Sequence, residues 1–178
     1  MIHRIRTHLV NLLRKEDGSA SVEFVIVFPV FLALMIMSLE LSIITLRQTM
    51  LERGLDIAVR DIRLGTGGEA EHDVIKETIC DNALILNDCG NSLKLEMVPT
   101  DIRELALLDD NVDCSDKAAE SNPVKEFTAG QQNELMLLRA CLKYDPLFPN
   151  WQLGRTLERD DSGQLSIISM TAFVQEPA

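Results

Sequence analysis

Three groups of residues in this chain have the types and spacing to do chemistry. The first is the junction Gly18-Ser19-Ala20-Ser21-Val22-Glu23-Phe24, where small flexible residues meet a carboxylate and then an apolar run. From Phe24 to Met37 no side chain is polar. A carboxylate in a spanning helix costs about 2.5–3.5 kcal/mol at mid-bilayer and less near the interface, so Glu23 needs a partner. A cut after Gly18 would create an ammonium on Ser19, one helical turn from Glu23 and on the same face. That amine, or its copy on a neighbouring subunit, would meet the acid where an unpaired charge is expensive.

The second group is Cys80, Cys89, Cys114 and Cys141, all of which follow the apolar run. In an oxidising compartment an even number of cysteines reads as disulfides, here two, with three pairings open. The preferred pairing closes a short loop, Cys80–Cys89, and a longer one, Cys114–Cys141. Zinc fits less well, because there is no C-x-x-C and the nearest histidine, His72, lacks matched spacing. The third group is Asp109-Asp110-Asn111-Val112-Asp113 with Glu120 at the twelfth place, whose oxygens copy a calcium loop. Its sixth place is Cys114 where the tight turn wants glycine, so the expectation over 109–120 is a solvated acidic loop.

Signatures of catalysis are absent from the sequence. There is no G-x-S-x-G, no H-E-x-x-H, no Walker loop and no histidine placed to serve a cysteine nucleophile. His3, His8 and His72 are expected to titrate at the surface, and Trp151 to pack at a domain surface or interface. No enzyme and no cofactor are expected. The whole chain carries −11 and its first eighteen residues +2, which leaves −13 for the rest. An acidic domain of that kind argues against nucleic-acid binding.

The elements that must position these residues follow from periodicity. Val22 to Leu46 as a helix would be roughly 37 Å long, enough to cross a hydrocarbon core of about 30 Å with some tilt. Ser38, Glu40, Ser42 and Thr45 interrupt it only lightly, and Pro29 should kink it. Glu40 lies about 26 Å along the helix from Glu23, near the outer interface, where a carboxylate reaches water or a staggered neighbouring subunit. A removable signal has a shorter apolar core and a small-x-small cleavage site after it, which Thr45 to Met50 does not provide. The anchor is therefore expected to be retained. Residues 2–13 form a short basic amphipathic helix, and the positive-inside rule puts that end in the cytoplasm.

Beyond Leu46 the helix should continue as a soluble amphipathic stem, with Leu51, Leu55, Ile57, Ala58 and Ile62 at helical spacing, until Gly65-Thr66-Gly67-Gly68 stops it. A second helix is expected over 70–86. Alternation predicts strands at 93–97, 136–144 and 168–174, with 153–158 as a further strand paired through an Asp160-Asp161-Ser162-Gly163 turn in a C-terminal hairpin. Between Pro99 and Asn133 the expectation is loop, with a short helix at 100–108. The sum is an α+β chain: a leader over 1–18, a transmembrane helix over 19–46, and an exported domain over 47–178 that carries the stem helix 47–64 and a small antiparallel sheet.

Gly18-Ser19 with Glu23 resembles the type IV prepilin processing signature: a charged leader ending in glycine, then glutamate fifth in the mature chain before an apolar helix. The run from Gly18 through Pro29 and the stem Leu55-Asp56-Ile57-Ala58-Val59-Arg60-Asp61-Ile62-Arg63-Leu64-Gly65 are similar to the TadE-like proteins of tight-adherence (Tad) pilus systems. So is the tail, Leu142 to Phe148 and Thr171 to Pro177. The resemblance implies a pilin-like pseudopilin or minor pilin, with Gly18 and Ser19 as the cleavage pair and Glu23 as the recognition or pairing carboxylate. It implies as partners an aspartic prepilin peptidase, other Tad pilins and pseudopilins, and the inner-membrane platform with its ATPase and secretin. The implied location is the inner membrane, amino end cytoplasmic, with the carboxyl-terminal domain periplasmic or in an extracellular pilus. The sister TadF-like pseudopilins are built alike, and the alternative of a different class is an uncleaved, signal-anchored periplasmic binding or scaffold module.

Overall fold

The computed structural model describes residues 19–64, 71–86, 88–101, 103, 112, 114, 127–157, 159–160 and 162–177. In chain order its elements are α1 (Ser19–Leu64), α2 (His72–Asn82), α3 (Cys89–Ser92), β1 (Leu93–Pro99), β2 (Leu135–Tyr144), α4 (Gln152–Thr156) and β3 (Leu165–Val174). The arrangement is α+β, with one long helix and a three-stranded antiparallel sheet. The chain divides into two compact units between Leu39 and Glu40.

In the first unit the described chain is the amino-terminal part of α1, which runs through Pro29 without a break. Most of its large apolar side chains are exposed, Val22, Phe24, Ile26, Phe31 and Leu39 among them, with Val25 at 67%, and Leu32, Ile36 and Met37 are half-buried. Phe24 and Phe28, one turn apart, stack at 4.9 Å between ring centres. A helix that is apolar on every face takes lipid or other apolar helices as its solvent. This one is long and apolar enough to cross a membrane.

From Glu40 onward α1 becomes one-sided. Leu51, Leu55, Ala58, Val59 and Ile62 are buried, while Glu52, Arg53, Asp56 and Arg60 face water. The buried stripe joins one core with Ile75 and Ile79 of α2 and with Leu95, Met136, Leu138 and Ile167 of the sheet. Gly54 is where α1 meets α2 most closely: a Cβ there would lie 2.7 Å from the Ile79 carbonyl oxygen. Only glycine lets the two backbones approach that far.

The strand order is β1-β2-β3, both pairings antiparallel, with Leu95 opposite Ala140 and Ala140 opposite Ser169. The central strand β2 is buried on both faces, so Leu137 and Cys141 are as covered as Met136 and Leu138. The face of β1 and β2 turned away from Leu95 and Leu138 carries Glu96 and Arg139, cross-strand neighbours whose ion pair closes at 3.0 Å. Two disulfides tie the fold. Cys80–Cys89 joins α2 to α3, and Cys114–Cys141 fastens Cys114 to β2.

Several elements differ from the periodicity-based expectation. The second helix ends at Asn82, although Ala83 and Leu86 remain buried in the following turn, where the Ala83 N–H bonds to the Cys80 carbonyl. The strand expected from 153 is not formed among the described residues: Gln152–Thr156 forms the short helix α4. Local bonding favours the helix. The Arg155 N–H bonds to the Trp151 carbonyl at 2.9 Å, and the Arg159 guanidinium donates to the carbonyls of Pro149 and Gly154. Consequently, among the described residues, the expected C-terminal hairpin does not form. The Gly163 N–H, at a residue with φ +81°, bonds to the Asp160 carbonyl ahead of β3, and β3 pairs with β2 instead. The helix expected at 100–108 and the acidic loop 109–120 lie outside the described residues, apart from Thr100, Asp101, Arg103, Val112 and Cys114. Residues 1–18, with His3, His8 and Gly18, lie outside them too.

Candidate functional site

Ser19 is the first residue of α1, and Glu23 is one turn further along, exposed. Between Ser19 and Leu39 Glu23 is the one charged residue. Spacing of four along a continuous helix puts the Ser19 and Glu23 positions on one face. The carboxylate therefore marks the start of a surface on which every large side chain is apolar.

A second carboxylate on α1 is handled in the opposite way. Glu40 is only 3% exposed, and its two oxygens accept the Leu147 N–H at 3.1 Å and the Phe148 N–H at 3.0 Å. The expectation that Glu40 reaches water or a neighbouring subunit is corrected: it is buried against its own chain. Pro146 and Pro149, which lack an N–H, flank the two donors, so this turn has just two adjacent amides to offer and one acid takes both. The prolines beside a helix-borne acid were the available signal, but nothing local in sequence ties residue 40 to residue 147.

Neighbouring contacts fix the same turn. Arg47 donates to the Asp145 carbonyl at 3.2 Å and sits 4.5 Å over the centre of the Tyr144 ring. Burial pushes the Tyr144 phenol above its usual range, against the pull of Arg47 and with a smaller push from Glu40. Gln164 donates to the Asp145 carboxylate at 3.2 Å. Nearby, Asp160 receives Lys143 at 2.7 Å, the Ser162 hydroxyl at 2.7 Å and the Gln164 N–H at 2.8 Å. Desolvation works to raise that carboxyl, but the three donors outweigh it and hold it well below the ordinary carboxylate range.

At the other end of the domain a groove of about 750 Å³ lies between α1 and β3, lined among others by Asp56, Arg60, Phe173 and Glu176. The Arg63–Glu176 ion pair at 2.9 Å belongs to its wall. Among the described residues no three His, Cys, Asp or Glu side chains come together to hold a metal. His72 is not on the open surface as expected. Its side chain is 18% exposed, bonded to Asp73 and set edge-on against Phe127 at 5.2 Å. Trp151, in the turn before α4, is 39% exposed.

Comparison with known proteins bears on the first of these features. No curated protein and no solved structure matches the chain significantly. Residues 18–60 match the family model described as TadE-like protein. They take in Gly18, Ser19, Glu23, the exposed apolar helix and most of the stem. Over residues 18–60, therefore, this chain is similar to the TadE-like protein family.

Proposed function

We propose that this chain is a minor pilin or pseudopilin of a Tad-type pilus assembly apparatus, cut after Gly18 by a prepilin peptidase and used to initiate or cap the filament. The observation that carries this is the TadE-like match over 18–60, which spans the Gly18–Ser19 pair and, over 19–39, an apolar stretch of helix whose sole charge is Glu23. The family is associated with Tad pilus machinery, and the physical mechanism is lateral assembly. Apolar faces exposed on α1 exchange lipid for neighbouring helices, a transfer between two apolar surroundings that packing and polar pairing must drive. The carboxylate of Glu23 opposes that transfer until a positive charge meets it, and the ammonium released on Ser19 supplies one. The disulfide-tied domain sets which partner fits, among the prepilin peptidase, other Tad pilins and the inner-membrane platform. The chain is anchored with its basic amino end inside and acts as a subunit, with no catalytic step of its own.

Mass spectrometry of the protein purified from membranes tests this. A mature chain that begins at Ser19 is the expected result, and an intact leader in a working apparatus overturns it. Glu23→Ala should leave the chain in the membrane and abolish its incorporation. Undiminished assembly of that variant removes the charge-pairing mechanism.

A further inference from the structure

We infer that the turn Leu147–Trp151 is a lipid-binding foot, which sets Leu147 and Trp151 into the headgroup region of the bilayer on the side of the folded domain. The inference rests on α1 spanning that bilayer. Its position follows from Glu40. This residue is the first after the all-round apolar segment of α1, and its carboxylate grips the Leu147 and Phe148 amides. The turn is thereby fastened at the level where the helix stops being apolar on every side and the folded domain begins.

Composition and exposure agree with that position. In a chain with 25% charged residues, the stretch from Pro146 to Leu157 carries one, Arg155. Leu147 is 53% exposed and Trp151 39%. Pro146 is buried and Phe148 half-buried, so the turn holds two apolar side chains out while its own base is packed. The backbone behind them is fixed: the Trp151 N–H bonds to the Phe148 carbonyl at 3.2 Å, and Arg159 ties the carbonyls of Pro149 and Gly154. Tryptophan at a membrane boundary keeps its ring in the apolar margin and its N–H in the wet one. The domain as a whole is acidic, which disfavours its approach to an anionic surface, and this nearly uncharged turn lacks that repulsion.

Trp151 is the only tryptophan in the chain and serves as the probe. The full-length protein is reconstituted in phosphatidylcholine–phosphatidylglycerol vesicles whose acyl chains carry bromine either near the carbonyl end or near the methyl end. A companion, Val27→Trp in a Trp151→Phe background, reports on the helix itself. Carbonyl-end bromine should remove about half of the Trp151 emission and methyl-end bromine far less, as for a residue at the interface. Leu147→Asp should lower that quenching while far-ultraviolet circular dichroism stays unchanged. If residue 27 is quenched by methyl-end bromine and Trp151 by neither, the helix spans and the foot is refuted. If neither position is quenched, the spanning helix fails and the foot with it. Trp151 emission that ignores brominated lipid but shifts with the protein-to-lipid ratio assigns the turn to a second copy and also refutes the foot.

Discussion

The carboxylate of Glu40 holds the backbone N–H of Phe148 at 3.0 Å across 108 positions of sequence, and the neighbouring Leu147 N–H at 3.1 Å. A single acid at the first residue of the folded unit thus positions the turn before α4. Removing it should cost more than one ordinary surface bond, because two amide donors lose their acceptor together.

Glu40→Ala is expected to destabilise the domain by about 1–3 kcal/mol, the range for leaving buried donors unsatisfied. Hydrogen exchange on the full chain in detergent should show the Leu147 and Phe148 amides exchanging about tenfold faster or more, with β2 unaffected. Glu40→Gln keeps one accepting oxygen and should lie between the two. Unchanged protection in the alanine variant would show that the turn does not depend on this acid.

At Gly54 the two relevant effects have opposite signs. Helix propensity alone favours alanine by about 1 kcal/mol. The added methyl would sit 2.7 Å from the Ile79 carbonyl oxygen, and overpacking of this kind costs about 1–3 kcal/mol. Gly54→Ala should therefore lower the denaturation midpoint despite improving the helix. A raised midpoint would mean that α1 and α2 are not in such close contact.

Acid should weaken the Asp160 cluster. Its carboxyl is depressed in the folded chain by Lys143, Ser162 and the Gln164 amide, so ionisation favours the folded state. That contribution is complete above the unfolded carboxylate pKa of about 4 and is withdrawn as pH falls below it toward the folded value. Urea midpoints measured between neutral pH and roughly pH 2 should fall less steeply for Asp160→Asn than for the parent. Parallel curves would exclude Asp160 as a source of the acid dependence.

The disulfides should differ in worth. Cys80–Cys89 closes a separation of 9 residues and Cys114–Cys141 one of 27. Loop-entropy arguments give about 2.5 kcal/mol for the first and about 3.5 kcal/mol for the second. Denaturation of Cys80→Ser/Cys89→Ser and Cys114→Ser/Cys141→Ser variants under identical conditions compares them. A larger loss from the short loop would contradict the entropic account.

Much of the fold was legible because it is written locally. The stem stripe Leu51, Leu55, Ala58 and Ile62 repeats at the helical period, and it is buried. The strands at β1, β2 and β3 alternate along their length, and each forms. The strand expected from Leu153 rests on the turn after it and not on its own pattern; the segment is helical instead, with the Arg159 guanidinium donating to the Gly154 carbonyl. Alternation implies one wet face for β2, whereas Arg139 and Cys141 are covered.

What the sequence determined by itself is the lone charge at Glu23 ahead of a run that no soluble surface would tolerate, because hydropathy and helical spacing need no partner to act. Only the tertiary structure decided the fate of Glu40. Whether a carboxylate stays in water or is buried depends on which donors arrive to replace its hydration, and here they come from a turn more than a hundred residues away.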